Sequence, residues 1–245
     1  MRFPLRLRAD LLRYRLLRAF TASGEAPIFR FSLLKTEVSK RHRLGDSATE
    51  LEWHSLEDCV RMVASAAAPV VWIGGTEPLL HPEIGGLARA LSNSGRHVFL
   101  HTSGADLRRR IHEFQPDSRL FFAVEFGGGR PLRDSRAMES TRAAKLSGFL
   151  VCAHVTLNPG TDACGIDELF EALDHKDVDG FVVSSGGVSH SAALARKLDE
   201  IRGLIRHSGW EQFSALLEST YARPVKASVR PKLPGAPTGA FEEAD

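Results

Sequence analysis

The chain has 245 residues, 43% of them hydrophobic, enough for one continuous core and too apolar for disorder throughout. Lys and Arg (32) nearly balance Asp and Glu (30), leaving a net charge of +2, which excludes a nucleic-acid partner argued from charge alone. Cys59, Cys152 and Cys164 are too scattered for a disulfide framework or a CxxC knuckle, and no run approaches the roughly 18 apolar residues of a membrane span, so a cytoplasmic, non-secreted protein is expected.

The first element in chain order is a basic amphipathic N-terminal helix within residues 1–24. Leu7, Leu11 and Tyr14 form one helical stripe over residues 5–20, Leu12 and Leu16 widen it, and residues 1–20 carry six arginines against Asp10. Such a helix either lies on anionic lipid at the inner face of a membrane or packs across a barrel with its arginines in water. The sequence leaves both open.

From residue 28, short β-branched or aromatic runs alternate with amphipathic stretches, the pattern of parallel strands joined by crossover helices. Six units are predicted, with strands at Ile28–Leu34, Val70–Ile73, His97–Thr102, Leu120–Glu125, Val151–Leu157 and Gly180–Ser184. Most are apolar almost throughout, as strands covered on both faces must be. Helices are predicted at Leu56–Ala67, Glu83–Ser94, Asp106–Phe114, Ser135–Ser147, Ile166–His175 and Ser191–His207. Ser55 and Asp58 form a capping box for the first of these, Pro82 suits the first turn of the second, and Gly95 and Gly148 supply left-handed C-terminal residues. The fold class is α/β, a partial TIM barrel over residues 25–222. Residues 223–245, with four prolines, two glycines and no apolar period, are predicted to be a flexible tail.

In such folds ligands meet the loops at the carboxyl ends of the strands. After the second predicted strand comes Gly74-Gly75-Thr76-Glu77-Pro78-Leu79-Leu80-His81, where glycines allow close backbone approach and Glu77 offers a carboxylate to an ammonium group. This string resembles the "GGEP" loop of radical S-adenosylmethionine (SAM) enzymes, and more closely that of hopanoid-biosynthesis radical SAM proteins, whose loop continues into Leu-Leu-His. The basic first helix, Ser55-Leu56-Glu57-Asp58-Cys59, His101-Thr102-Ser103 and Val178-Asp179-Gly180 fall in family order, so the resemblance covers roughly residues 5–220. It implies a SAM-binding partial barrel of about six strand-helix units.

It also implies three cysteines after the first strand, spaced CxxxCxxC, that hold a 4Fe-4S cluster. The corresponding stretch, Thr36 to Asp46, has none. His42, among Lys40, Arg41 and Arg43, reads as solvated surface rather than an iron ligand. The family's glycine pair is Gly75-Thr76 here, and Glu125-Phe126-Gly127-Gly128 replaces a segment that usually carries an aspartate. No metal site and no 4Fe-4S cluster are therefore expected. SAM, or another amino acid-like or nucleotide-like ligand, could still be held by Gly74, Gly75, Thr76, Glu77, Thr102, Ser103, Ser184 and Ser185.

Other signals are weaker. Gly127-Gly128-Gly129-Arg130 lacks the Lys-Ser/Thr of a phosphate loop, and Asp134, beside Arg133, reads as a helix cap. His81, His101 and His154 lie near strands without the spacing of a catalytic constellation, so no catalytic residue is assigned. No predicted strand carries a Schiff-base lysine, which weighs against an aldolase-type barrel. The sequence favours a barrel that has lost radical chemistry and binds a small molecule or a partner protein, such as an active relative. The alternative is an enzyme with unconventional cluster ligation or cluster-independent SAM chemistry.

Overall fold

A computed structural model describes residues 3–19, 25–41, 47–127, 132–161, 163–174, 176–186, 192–205 and 208–221. The tail at 223–245, the run Gly128–Arg130 and His42 lie outside the described residues. The strands are β1 (Ile28–Phe31), β2 (Leu34–Arg41), β3 (Ser47–Trp53), β4 (Val70–Ile73), β5 (His97–Thr102), β6 (Leu120–Gly127), β7 (Leu150–Thr156) and β8 (Gly180–Ser184). The helices are α1 (Leu5–Ala19), α2 (Leu56–Ser65), α3 (Ile84–Asn93), α4 (Leu107–Arg110), α5 (Ser135–Leu146), α6 (Ala163–Ala172), α7 (Ala192–Leu204) and α8 (Trp210–Tyr221).

Six strands form one wholly parallel sheet in the order β1-β4-β5-β6-β7-β8, curled into half a barrel. The six predicted strands are its members. Nearly every residue of β4, β6, β7 and β8 is buried, consistent with helices outside and a filled concave face inside. That filling is aromatic: Trp72 stacks on Phe99 at 5.6 Å, Phe99 on Phe121 at 4.4 Å, and Phe213 of α8 closes on Phe99 at 4.8 Å.

Two elements were not read from the sequence. The first is the antiparallel hairpin β2–β3, which stands where the resemblance places the cysteine loop; the predicted first strand, Ile28–Leu34, ends at Phe31 and the chain turns into β2 at Leu34. The second is α8, which packs against both outer strands, β8 and β1. Six strands leave these edges unpaired. On β8, Ser214 Oγ accepts the Val183 N–H at 3.0 Å, and the Trp210 indole N–H donates to the Asp179 carbonyl at 3.1 Å.

Helix α1 packs across the amino ends of the strands. Leu7, Leu11 and Tyr14 are buried, and Asp10 lies 2.9 Å from His97 Nε2 and 3.2 Å from an Arg119 guanidinium nitrogen. The barrel-packing reading of this helix is therefore present in the structure. Leu12 and Leu16, however, do not widen the buried stripe: each is 57% exposed, because they lie on the opposite side of the helix. Smaller differences concern ends. The helix predicted at Asp106–Phe114 divides into α4 and a 3-10 turn at Ile111–Glu113, and α6 begins at Ala163, so Cys164 lies within it.

Gly180 is the tightest point of the α8 seam. A Cβ there would sit 2.0 Å from a ring carbon of Trp210. Gly180→Ala is expected to force the indole aside and destabilise the fold by about 1–3 kcal/mol, read as a lower urea midpoint.

Candidate ligand site at the barrel mouth

At the carboxyl ends of β4 and β5 the structure brings together six of the eight residues assigned from sequence. Gly74, Gly75, Thr76 and Glu77 form the loop after β4; Thr102 ends β5 and Ser103 follows it. Gly75 has φ +97°, a left-handed conformation that favours glycine, and Gly74 lies so close to Trp72 and His101 that a Cβ would stand 3.3 Å from a nitrogen of each ring. Glu77 ties the two loops together. One carboxylate oxygen accepts Thr102 Oγ at 2.6 Å and the Leu79 N–H at 3.2 Å; the other accepts the Ser103 N–H at 2.8 Å and Ser103 Oγ at 2.7 Å. These four donors match the acceptor capacity of a carboxylate.

The other two assigned residues engage different partners. Ser184 Oγ lies 2.7 Å from His154 Nε2. Ser185 donates its N–H (2.8 Å) and its hydroxyl (2.5 Å) to the two carboxylate oxygens of Glu218 on α8.

Between these groups lies a buried polar layer resting on the aromatic floor. The His101 and His154 rings meet edge to face at 4.6 Å, and both lie against Trp72. Glu125 approaches His101 Nε2 at 3.9 Å and accepts the Thr156 hydroxyl at 3.1 Å. The Arg30 guanidinium covers the Tyr221 ring at 3.5 Å. Burial, with nearby Arg30, lowers the His101 pKa from its ordinary value to about 4, and burial beside His101 and Arg30 pushes His154 well down too. Both imidazoles are neutral at physiological pH. Arg30 Nε, His101 Nε2 and His154 Nδ1 are buried without a hydrogen-bond partner among the described residues, an arrangement that costs free energy.

Cys59 and Cys152 hold no place among these hydrogen bonds and ring contacts. Cys59 is buried on α2 and burial pushes its thiol up to about 11; Cys152 is buried within β7 and likewise raised. Neutral thiols are poor metal ligands. Among the described residues, no three His, Cys, Asp or Glu side chains are grouped to hold a metal ion. His81 serves the scaffold: it accepts the Glu83 N–H at Nδ1 (3.1 Å) and reaches the His54 carbonyl with Nε2 at 2.9 Å. Asp134 caps α5 through the Arg136 and Ala137 N–H groups.

The sequence reading missed Arg30, Trp72, Glu125, Glu218 and Tyr221, and it gave His101 and His154 no shared role. Alternate inward positions along β5 to β7 carry the histidines and Glu125. The apolar spacing Trp210, Phe213, Leu217 after Gly209 would have revealed α8.

No protein-family model matches the sequence, and no curated relative does. The fold does have solved counterparts. Crystal structures of SuiB from Streptococcus suis, bound to its precursor peptide SuiA or to S-adenosylmethionine, match 73% of this chain at 15% identity with TM-scores of 0.52 and 0.53. The match covers 45% and 44% of those chains, so this chain spans less than half of SuiB. A looser likeness, TM-score 0.44 at 16% identity over 66% of each chain, is to archaeal TYW1. The chain has the fold of the radical SAM enzymes.

Because His101 stays neutral when folded but takes a proton when unfolded, its contribution to stability is constant above pH about 6.5 and declines as pH falls from there toward 4. Urea midpoints measured across this range are expected to drop, with a shallower slope in His101→Phe. An unchanged slope in the variant would remove His101 as the cause.

Proposed function

We propose that this half-barrel is a small-molecule-binding protein of radical SAM descent that works without the 4Fe-4S cluster and without radical chemistry. The carrying observation is the replacement after β1: a cysteine-free hairpin, β2–β3, occupies the position at which the resemblance calls for three thiolates. Iron ligation needs thiolates at one locus, and Cys59 and Cys152 are buried, neutral and far apart in sequence.

The ligand we assign to the mouth is SAM or a compound sharing its amino-acid and nucleoside halves. Glu77 would receive the ammonium group in exchange for a hydroxyl donor, and the Thr102–Ser103 and Ser184–Ser185 turns would supply polar contacts to the rest. The unpartnered nitrogens of Arg30, His101 and His154 support a ligand reaching into the layer below. SuiB's binding of S-adenosylmethionine makes SAM the first compound to try. The chain would act in the cytoplasm, as a SAM-holding partner of an active relative. A second reading, SAM-dependent chemistry without a cluster, is favoured by the closeness of Glu125 to His101 at 3.9 Å.

Titration calorimetry on the purified chain tests the assignment. SAM is expected to bind, and Glu77→Gln, which removes the charge but keeps the shape, to weaken binding about tenfold by losing a charge-assisted hydrogen bond. Absence of heat with the wild-type chain, or equal affinity in the variant, would contradict it.

A further inference from the structure

We infer that the outer face of α1 docks on the surface of an anionic lipid bilayer. The inference stands on α1 alone and does not depend on what the mouth binds.

The helix is apolar on two opposite sides. Leu7, Leu11 and Tyr14 face the barrel. Leu5, Ala9, Leu12 and Leu16 recur at spacings of four, three and four residues, which at 3.6 residues per turn puts them in one row on the other side. That row faces water: Leu5 is 80% exposed and Leu12 and Leu16 57% each. Nothing among the described residues covers it, and a row of solvent-exposed leucines on a docked helix calls for a partner.

The charges flanking the row identify that partner. By the same helical geometry Arg8 and Arg15 fall along one side of the row and Arg13 along the other, and all three are exposed. The helix's one acid, Asp10, is turned inward onto His97 and Arg119. Of nearby acids, Glu25 is paired with Arg18, and Asp117 accepts the Arg119 N–H at the turn before β6. A narrow leucine row flanked by Arg8 and Arg15 on one side and Arg13 on the other matches an in-plane helix: leucines enter the acyl boundary while the arginines reach outward to phosphates. A second copy of this chain fits less well, since twofold pairing along the row would set arginine against arginine. The helix, about 22 Å long at 1.5 Å per residue, lies on the membrane rather than across it; no helix among the described residues is long and apolar enough to span one.

The test is co-sedimentation of the full chain with vesicles of phosphatidylcholine alone or mixed with phosphatidylglycerol. Binding is expected only with the anionic mixture and should weaken as salt is raised. L12S/L16S and R13Q/R15Q should each reduce binding, the arginine pair at least tenfold at about 1 kcal/mol for each charge near the surface. Both pairs point away from the core, so urea midpoints should match the wild type and exclude misfolding as the cause. No binding to either vesicle, equal binding to both, undiminished binding in the variants, or a wild-type dimer that L12S/L16S dissociates without any lipid binding would each overturn the inference.

Discussion

Six parallel strands do not close a barrel. The curled sheet therefore presents a concave face that must be filled and two outer strands that must be covered, and most features of this molecule answer that constraint. Helix α8 lies against β8 and β1 at once, contributes Phe213 to the ring stack on Phe99, and gives Ser214 Oγ to the unpaired Val183 N–H. Helix α1 packs across the amino ends of the strands with Leu7, Leu11 and Tyr14. With α8 filling the gap, the carboxyl ends remain the place where polar groups accumulate.

The same filling determines the chemistry of the mouth. A floor of Trp72, Phe99 and Phe121 excludes water from below, so the imidazoles above it are desolvated and neutral, and Arg30 rests on the Tyr221 ring. Under the proposed function, a largely buried polar layer of this kind would recognise a ligand through hydrogen bonds. Glu77 holds the loops after β4 and β5 together through four protein donors.

Much of the architecture was legible because it is local. The uniformly apolar runs at Val70–Ile73 and Gly180–Ser184 announce buried parallel strands, and the Gly74 to His81 string announces a strand-end loop. The β2–β3 hairpin was not legible, since Thr36 to Asp46 is polar and carries none of the apolar alternation that marks a half-buried strand. Helix α8 was passed over although Trp210, Phe213 and Leu217 carry a helical period, because the sequence reading ended its repeating units at the sixth helix. The polar layer was hidden for a different reason. His101, Glu125 and His154 are far apart in sequence and meet only through strand register, where Glu125 pairs with His154 and His101 with Ala123. Leu12 and Leu16 show the limit of periodicity: spacing places residues on a side of a helix, but only packing decides which side is buried.

Whether this chain binds iron decides whether the half-barrel works without a cluster. The direct measurement is iron and acid-labile sulfide per chain after anaerobic reconstitution, read together with the EPR spectrum of the reduced sample. The account predicts metal far below one iron per chain and no cluster signal. A stoichiometric four-iron centre would contradict it, and would mean that ligands other than a cysteine triplet after β1 can hold the cluster on this fold.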